Sequence, residues 1–210
     1  MAAANPRPTT RNPRGQGELL RERLVDAALA LIDEQGDAAG LSIRAVTKRA
    51  GVSPTAFYLH FDQREELLAA CLERSFADFR DTVRTATEAI ADPRARLIRA
   101  GLAYTEFART RPARYLLIFG APTRAQDLEG MALLPKPESG AEAFEDLRAL
   151  VLADLGSDDP RRADVDVLAK GIWSGLHGFV TLRHSRPGMD WPGDEQFATL
   201  LAEAWLGKPG

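Results

Sequence analysis

Residues 41 to 68, LSIRAVTKRAGVSPTAFYLHFDQREELL, constrain this chain more than any other stretch. Capping residues cut it into two short helices, a tight turn and the start of a third, longer helix. Ser42 is placed to cap the first, with Leu41 and Val46 spaced to close over the cap as a hydrophobic staple. Ile43, Val46 and Ala50 then fall on one face, while Arg44 and Lys48, four apart, lie together off it. Gly51 can take the left-handed conformation that reverses the chain. Ser53 opens the second helix, with Pro54 at the first helical position, where its missing N–H is no loss, and with Val52 and Phe57 as a second staple. At 100° per residue Phe57 and Phe61 point inward, Tyr58 sits at the margin, and Thr55, Ala56, Leu59 and His60 point out. Such a helix of about seven residues is roughly 10 Å long and too short to be stable alone, so its neighbours must hold it as a rigid projection. Asp62 with Glu65 reads as a capping box that opens the third helix.

Two helices across a glycine-containing turn, the second exposing small and hydroxylic side chains, form the helix-turn-helix pattern, whose outer face fits a DNA major groove. The competing reading is an ordinary helical hairpin of a core. Against it stand the outward Thr55, Ala56, Leu59 and His60 and a basic flank of Arg44, Lys48, Arg49 and Arg64.

The segment AVTKRAGVSPTAFYLHFDQREELL resembles the signature of the TetR family of bacterial transcriptional regulators. Gly51, Val52, Ser53, Tyr58, His60, Phe61 and Leu67 match it, and Arg64 stands where the family usually has lysine. The chain departs from the pattern at Thr47, where alanine is usual, and at Thr55, where glycine is common. The motif covers about the first third of the chain; the remainder is similar to the family only in length and helical character.

Charge agrees with a focused binding face. The net formal charge is −3, yet residues 1 to 62 carry 8 Lys/Arg against 7 Asp/Glu and the remainder carries 19 against 23, so the basic excess is local. No run approaches the roughly 18 apolar residues of a membrane span, and the first residues lack the apolar segment of a signal peptide. The expectation is a soluble cytoplasmic protein with no membrane partner. The single cysteine, Cys71, excludes an intrachain disulfide and a cysteine-based zinc site, and its place in an apolar row with Leu68, Leu72 and Phe79 favours burial over redox sensing.

The fold expected is all-α: a three-helix helix-turn-helix domain over residues 17–62 and a helical C-terminal domain over 63–210, preceded by a disordered basic arm, 1–16. Arg7, Arg11 and Arg14 of that arm either reach DNA phosphates or sit on a solvated tail. A supporting helix runs from Glu18 to Gln35, buried through Leu20, Leu24, Ala27, Ala28, Leu31 and Ile32. A long helix runs from Gln63 to about Ala91, about 29 residues and some 43 Å, and links the reading unit to the C-terminal helices. Further helices begin at Pro93 and Pro112. A loop covers Gly120 to Pro137, and helices follow over Ser139–Leu155, Val165–Ser185 and Asp194–Leu206, the last with Phe197, Leu200, Leu201 and Ala204 on one face. The Val165–Ser185 helix is apolar almost all round and should be buried on more than one side. Its stripe of Gly171, Ser174, Gly175 and Gly178 requires a close helix approach, since each mid-helix glycine costs roughly 0.5–1 kcal/mol; the final helix is the natural neighbour.

The resemblance implies more. Arg44 reads base edges. Pro54, Thr55 and Ala56 face the groove, Ser42, Tyr58, His60 and Arg64 hold phosphates, and Lys48 belongs to the same DNA-binding set. A homodimer presents two such faces to a palindromic double-stranded operator, its interface built from the last two helices through Gly171, Gly175, Gly178, Leu182, Phe197 and Leu201. A small-molecule effector enters the C-terminal domain among Tyr104, Phe107, Tyr115, Phe119, Phe144, Trp173 and His177, each equally readable as core packing, and releases the DNA, repression being the commoner outcome in the family. The spacing of Trp173, His177 and Gly178 resembles one C-terminal domain type of these regulators. No cofactor or metal is expected: His177 and His184 share a face but lie two turns, about 10 Å, apart. The alternatives are an all-helical enzyme, for which no nucleophile–base pair or phosphate loop is visible and no catalytic residue is assigned, and an interaction protein without DNA contacts.

Overall fold

Ser42 does cap a helix, and the local signals around it organise the N-terminal part of the chain. The computed structural model describes residues 16–120 and 138–207; the basic arm up to residue 15, most of the expected loop after Gly120 and the last three residues lie outside them. The described elements are α1 (Gln16–Gln35), α2 (Ile43–Ala50), α3 (Pro54–Phe57), α4 (Arg64–Thr87), α5 (Pro93–Thr110), α6 (Pro112–Phe119), α7 (Glu138–Leu155), a 3₁₀ turn (Pro160–Asp164), α8 (Val165–Ser185) and α9 (Asp194–Leu206). No strand occurs among the described residues.

The Ser42 hydroxyl accepts the Ala45 N–H (3.2 Å), and Leu41 and Val46 are both buried behind it. At the other end of α2, Gly51 has φ 68°, the Gly51 N–H donates to the Lys48 carbonyl (3.2 Å) and the Val52 N–H to the Thr47 carbonyl (3.0 Å). Arg23 of α1 donates to the Ala50 carbonyl (2.6 Å) and satisfies another open helix end. Thr47, the departure from the family pattern, is buried, but its hydroxyl donates back to the carbonyls of Ile43 (2.9 Å) and Arg44 (3.2 Å), so no polar group is orphaned.

Three boundaries differ from expectation. The α-helix after Ser53 has four residues, about 6 Å, instead of seven. After Phe57 the chain tightens, with the His60 and Phe61 N–H groups both donating to the Phe57 carbonyl, which brings Phe61 back to the core. The expected Asp62–Glu65 box does not form: Gln63 is the cap without a side-chain bond, and Glu66, three residues on, accepts the Asp62 N–H (2.9 Å). Finally, α4 has 24 residues, about 36 Å, and ends at Thr87, short of the expected Ala91; Asp92, held extended before Pro93, opens the next helix.

Two cores share α4 and α6. Leu24, Ala28 and Ile32 of α1 pack with Val46, Phe57, Phe61, Leu67, Cys71 and Ala113 in one; Phe79, Tyr104, Phe107, Tyr115, Val151, Ile172 and Leu176 form the other. Arg114 of α6 bridges them. It donates to both carboxylate oxygens of Asp33 at the end of α1 (2.9 and 3.2 Å at the shortest for each) and to Asp78 of α4 (2.7 Å).

Within the chain α8 is buried on one side only. Leu168, Ile172, Leu176 and Phe179 face inward, while Val167, Trp173 and Leu182 are exposed. On α9 the face buried within the chain is Ala198, Ala202 and Leu206; of the apolar face expected beside the glycine stripe, Phe197 and Leu201 are half-buried, and Leu200 and Ala204 are exposed. Small residues decide this, because Ala198 lets α9 approach Gly101 of α5, where an added Cβ would sit 3.4 Å from the Ala198 methyl. The glycine stripe does take a close approach from α9. A Cβ on Gly171 would fall 2.5 Å from the Trp205 ring and one on Gly175 2.5 Å from Leu201, while Gly178 meets nothing.

Gly51→Val places a β-branched residue at positive φ and is expected to lower stability by about 1–3 kcal/mol, read as a lower urea midpoint. Burial pushes the Cys71 thiol up to about 12, so a disulfide reagent at pH 8 should modify it only in denaturant. Rapid labelling of the native protein would contradict its burial.

Candidate nucleic-acid interface

The outward turn is built by two aromatic anchors. Phe57 is fully buried and Phe61 nearly so, their ring centroids 5.4 Å apart, and Arg21 of α1 lies over the Phe61 ring at 5.1 Å. The Ser53 hydroxyl accepts the Ala56 N–H (3.2 Å) and sets the entry. Between and beyond these anchors Pro54, Thr55, Tyr58 and Leu59 are exposed, Leu59 at 73%, and Ala56 and His60 are half-buried. Tyr58 sits edge-on to Phe57 (5.3 Å), which steadies its ring while leaving its hydroxyl outside. His60 lies against the start of α1, its ring 3.6 Å from where a Cβ on Gly17 would be.

On α2, Ser42, Arg44 and Lys48 are exposed on the solvent side, and among the described residues neither Arg44 nor Lys48 enters an ion pair. The expected basic flank is narrower than the sequence suggested. Arg49 is held by both oxygens of Glu34 (2.6 and 2.7 Å), and that bond keeps the Glu34 carboxyl below its ordinary pKa. Arg64, its side chain a third exposed, donates to the Ala38 carbonyl (3.1 Å) and lies 3.6 Å from Glu65, with its Nε buried and unpartnered. It braces the α1–α2 connection against the start of α4. Only long-range geometry distinguishes it from Arg44, since both are merely basic residues on helices in the sequence.

A cavity of about 400 Å³ opens in the C-terminal core, within the size range of small-molecule pockets. Of the seven expected lining residues it takes Tyr104, Phe119, Phe144 and Trp173. Phe107 is fully buried beside it, edge-on to Phe79 at 5.3 Å. Tyr115 and His177 stand behind Tyr104 as a hydrogen-bonded set: the Tyr115 hydroxyl is 2.8 Å from His177 Nδ1 and the Tyr104 hydroxyl 3.0 Å from that of Tyr115. Burial lowers the His177 pKa below its ordinary value and raises both phenols above theirs. The other lining residues, Phe76, Phe79, Leu97, Leu147, Leu150 and Leu176 among them, are ordinary apolar helix positions in the sequence. Periodicity cannot tell a wall from a core.

Of the residues expected at a subunit interface, Gly171 and Gly175 are covered by Trp205 and Leu201 of the same chain, and Phe197 stacks on Phe179 (4.1 Å, 9°). Gly178 and Leu182 remain open. Among the described residues no group of three or more His, Cys, Asp or Glu could hold a metal ion, and no helix is long and apolar enough to cross a membrane.

Residues 24–71 match the family described as bacterial regulatory proteins, tetR family, and residues 97–204 match the tetracyclin repressor-like C-terminal domain. The chain is 31% identical over 143 residues to the HTH-type transcriptional regulator BetI of Rhizobium meliloti, covering 67% of this chain and 70% of that one. It is 28% identical over 200 residues to the HTH-type transcriptional regulator Rv1816 of Mycobacterium tuberculosis, covering 92% and 79%. Its fold is similar to that of BioQ bound to its natural double-stranded DNA operator, with a TM-score of 0.61 at 23% identity over 90% of this chain and 98% of that one.

Proposed function

The chain belongs to the tetR family of bacterial regulatory proteins and is a DNA-binding transcriptional regulator; from that premise we propose that it works in the cytoplasm as a homodimeric repressor of a palindromic operator, released by a small molecule in the C-terminal cavity. The observation that carries the reading is the turn at Pro54–His60, anchored by Phe57 and Phe61. It presents Thr55, Tyr58 and Leu59 to solvent beside Arg44 and Lys48, which are exposed on α2.

In this reading residues 17–62 form the DNA-binding head, residues 63–210 the effector and dimer domain, and residues 1–16 a basic arm. Arg44 contacts a guanine edge, the usual partner of a bidentate arginine. Thr55 hydrogen-bonds a base or phosphate, and Pro54 and Ala56 give apolar contact. Ser42, Tyr58, His60 and Arg64 hold phosphates and so fix register, with Lys48 in the same set. The Ser42 oxygen is engaged as a cap, but its O–H remains free to donate outward. Because this surface is poor in bidentate donors, much of the selectivity rests on Arg44 and on DNA shape.

Dimerisation is supported by Val167, Leu182, Leu200 and Trp205, apolar residues that α8 and α9 leave exposed in the single chain. Release is supported by α6. Ile118 and Phe119 line the cavity, Ala113 and Leu117 pack into the N-terminal core, and Arg114 is tied to Asp33 and Asp78. A ligand that prefers one position of α6 thereby biases the head.

Binding of labelled genomic fragments should be steeply salt-dependent, log K falling by about 0.9 per phosphate contact for each unit of log salt; an enzyme or a protein–protein module would retain no duplex. Arg44→Ala should weaken the selected operator by about 1–3 kcal/mol and relax preference at one base pair. An unchanged ranking of operator variants would remove Arg44 from base reading.

A further inference from the structure

We propose that the ligand of the C-terminal cavity is a largely apolar molecule without negative charge and not an organic anion, an inference that rests on the effector reading of that cavity. Aromatic and aliphatic side chains make up most of the wall: Phe76, Phe79, Phe119, Phe144 and Trp173, with Leu147 and its neighbours between them. Two charged residues line it, Arg80 and Asp146. They belong to one closed set at the meeting of α4 and α7: Arg80 Nε donates to Asp146 (2.8 Å) and Nη1 to Glu142. One guanidinium therefore serves two carboxylates, and this edge of the cavity carries a net negative charge.

An anion entering here meets no spare cation among the described lining residues. Lys170 lies over the Phe144 ring, 5.9 Å from its centroid, but is exposed and does not line the cavity. Burial disfavours the charged form of His177, and its Nδ1 is already engaged by the Tyr115 hydroxyl at 2.8 Å. The Tyr104 hydroxyl is engaged by the same pair, 3.0 Å from the Tyr115 hydroxyl and 3.4 Å from His177 Nδ1. Burying an unpaired anion in such surroundings is strongly unfavourable, whereas a neutral apolar molecule gives up little on leaving water and fills the space.

The matched fluorescent probes N-phenyl-1-naphthylamine, which is neutral, and 1-anilinonaphthalene-8-sulfonate, which adds one sulfonate to the same skeleton, test this on the full-length protein. The neutral probe should bind at least about tenfold more tightly, and Leu147→Trp, which fills the cavity, should abolish its binding. If that variant fails to fold, Ala143→Leu serves the same purpose. Asp146→Asn, which frees part of Arg80, should narrow the gap between the two probes. Equal or tighter binding of the sulfonate, no binding of the neutral probe, or neutral binding that survives cavity filling would each overturn the proposal. Adding the probes to the protein–operator complex separates the two readings. Neutral-probe binding without release would sink the effector mechanism and leave the ligand class standing; tight sulfonate binding with release would do the reverse.

Discussion

A four-residue helix has no stability of its own, and α3 exists because Phe57 and Phe61 are drawn into the core formed by α1, α2 and α4. The hydrophobic effect acts on two rings, and its consequence is the orientation of the residues around them. With both rings inward, the pitch of the turn leaves Thr55 and Leu59 no alternative to solvent. Everything the protein does with DNA depends on this arrangement being rigid before the duplex arrives. The supports are short-range and redundant: the Ser53 cap, the Gly51 reversal, and Arg23 on the end of α2.

The C-terminal half is organised differently. Its aromatic rings meet mainly edge to face, as Phe76 and Phe79 do with Phe119, and they surround space instead of filling it. Behind them a short polar chain of Tyr104, Tyr115 and His177 is satisfied internally, so a buried polar group is present without a demand on any ligand. The wall of the cavity is almost wholly apolar, whereas the exposed face of the head carries the polar and basic side chains Thr55, Tyr58, Arg44 and Lys48.

The range of each interaction decides how much of this is legible in the sequence. The Ser42 and Ser53 caps, the Gly51 turn, the inward Phe57 and Phe61 and the α9 limits depend on residues within a few positions, and the sequence alone suffices for them. The Asp62–Glu65 box fails by one residue, because Glu66 reaches the same N–H region from the next position. The intrachain partners of Arg64 and Arg49 escape local reading because Ala38 and Glu34 lie 26 and 15 residues away. The same holds for the cavity wall and for the close approach of Ala198 to Gly101, which lie 97 positions apart in the chain.

Arg114 with its two carboxylates has a consequence for anyone who would graft this reading head onto a different sensor. Leu67, Cys71, Ala113 and Leu117 pack within the head's own core although they come from α4 and α6, and Asp33 depends on a guanidinium contributed 81 residues later. A chimera cut at the end of α3 would leave behind apolar residues that seal the underside of the head and would strand a carboxylate. The transferable unit is discontinuous: it comprises the N-terminal helices, the first turns of α4 and the leading face of α6.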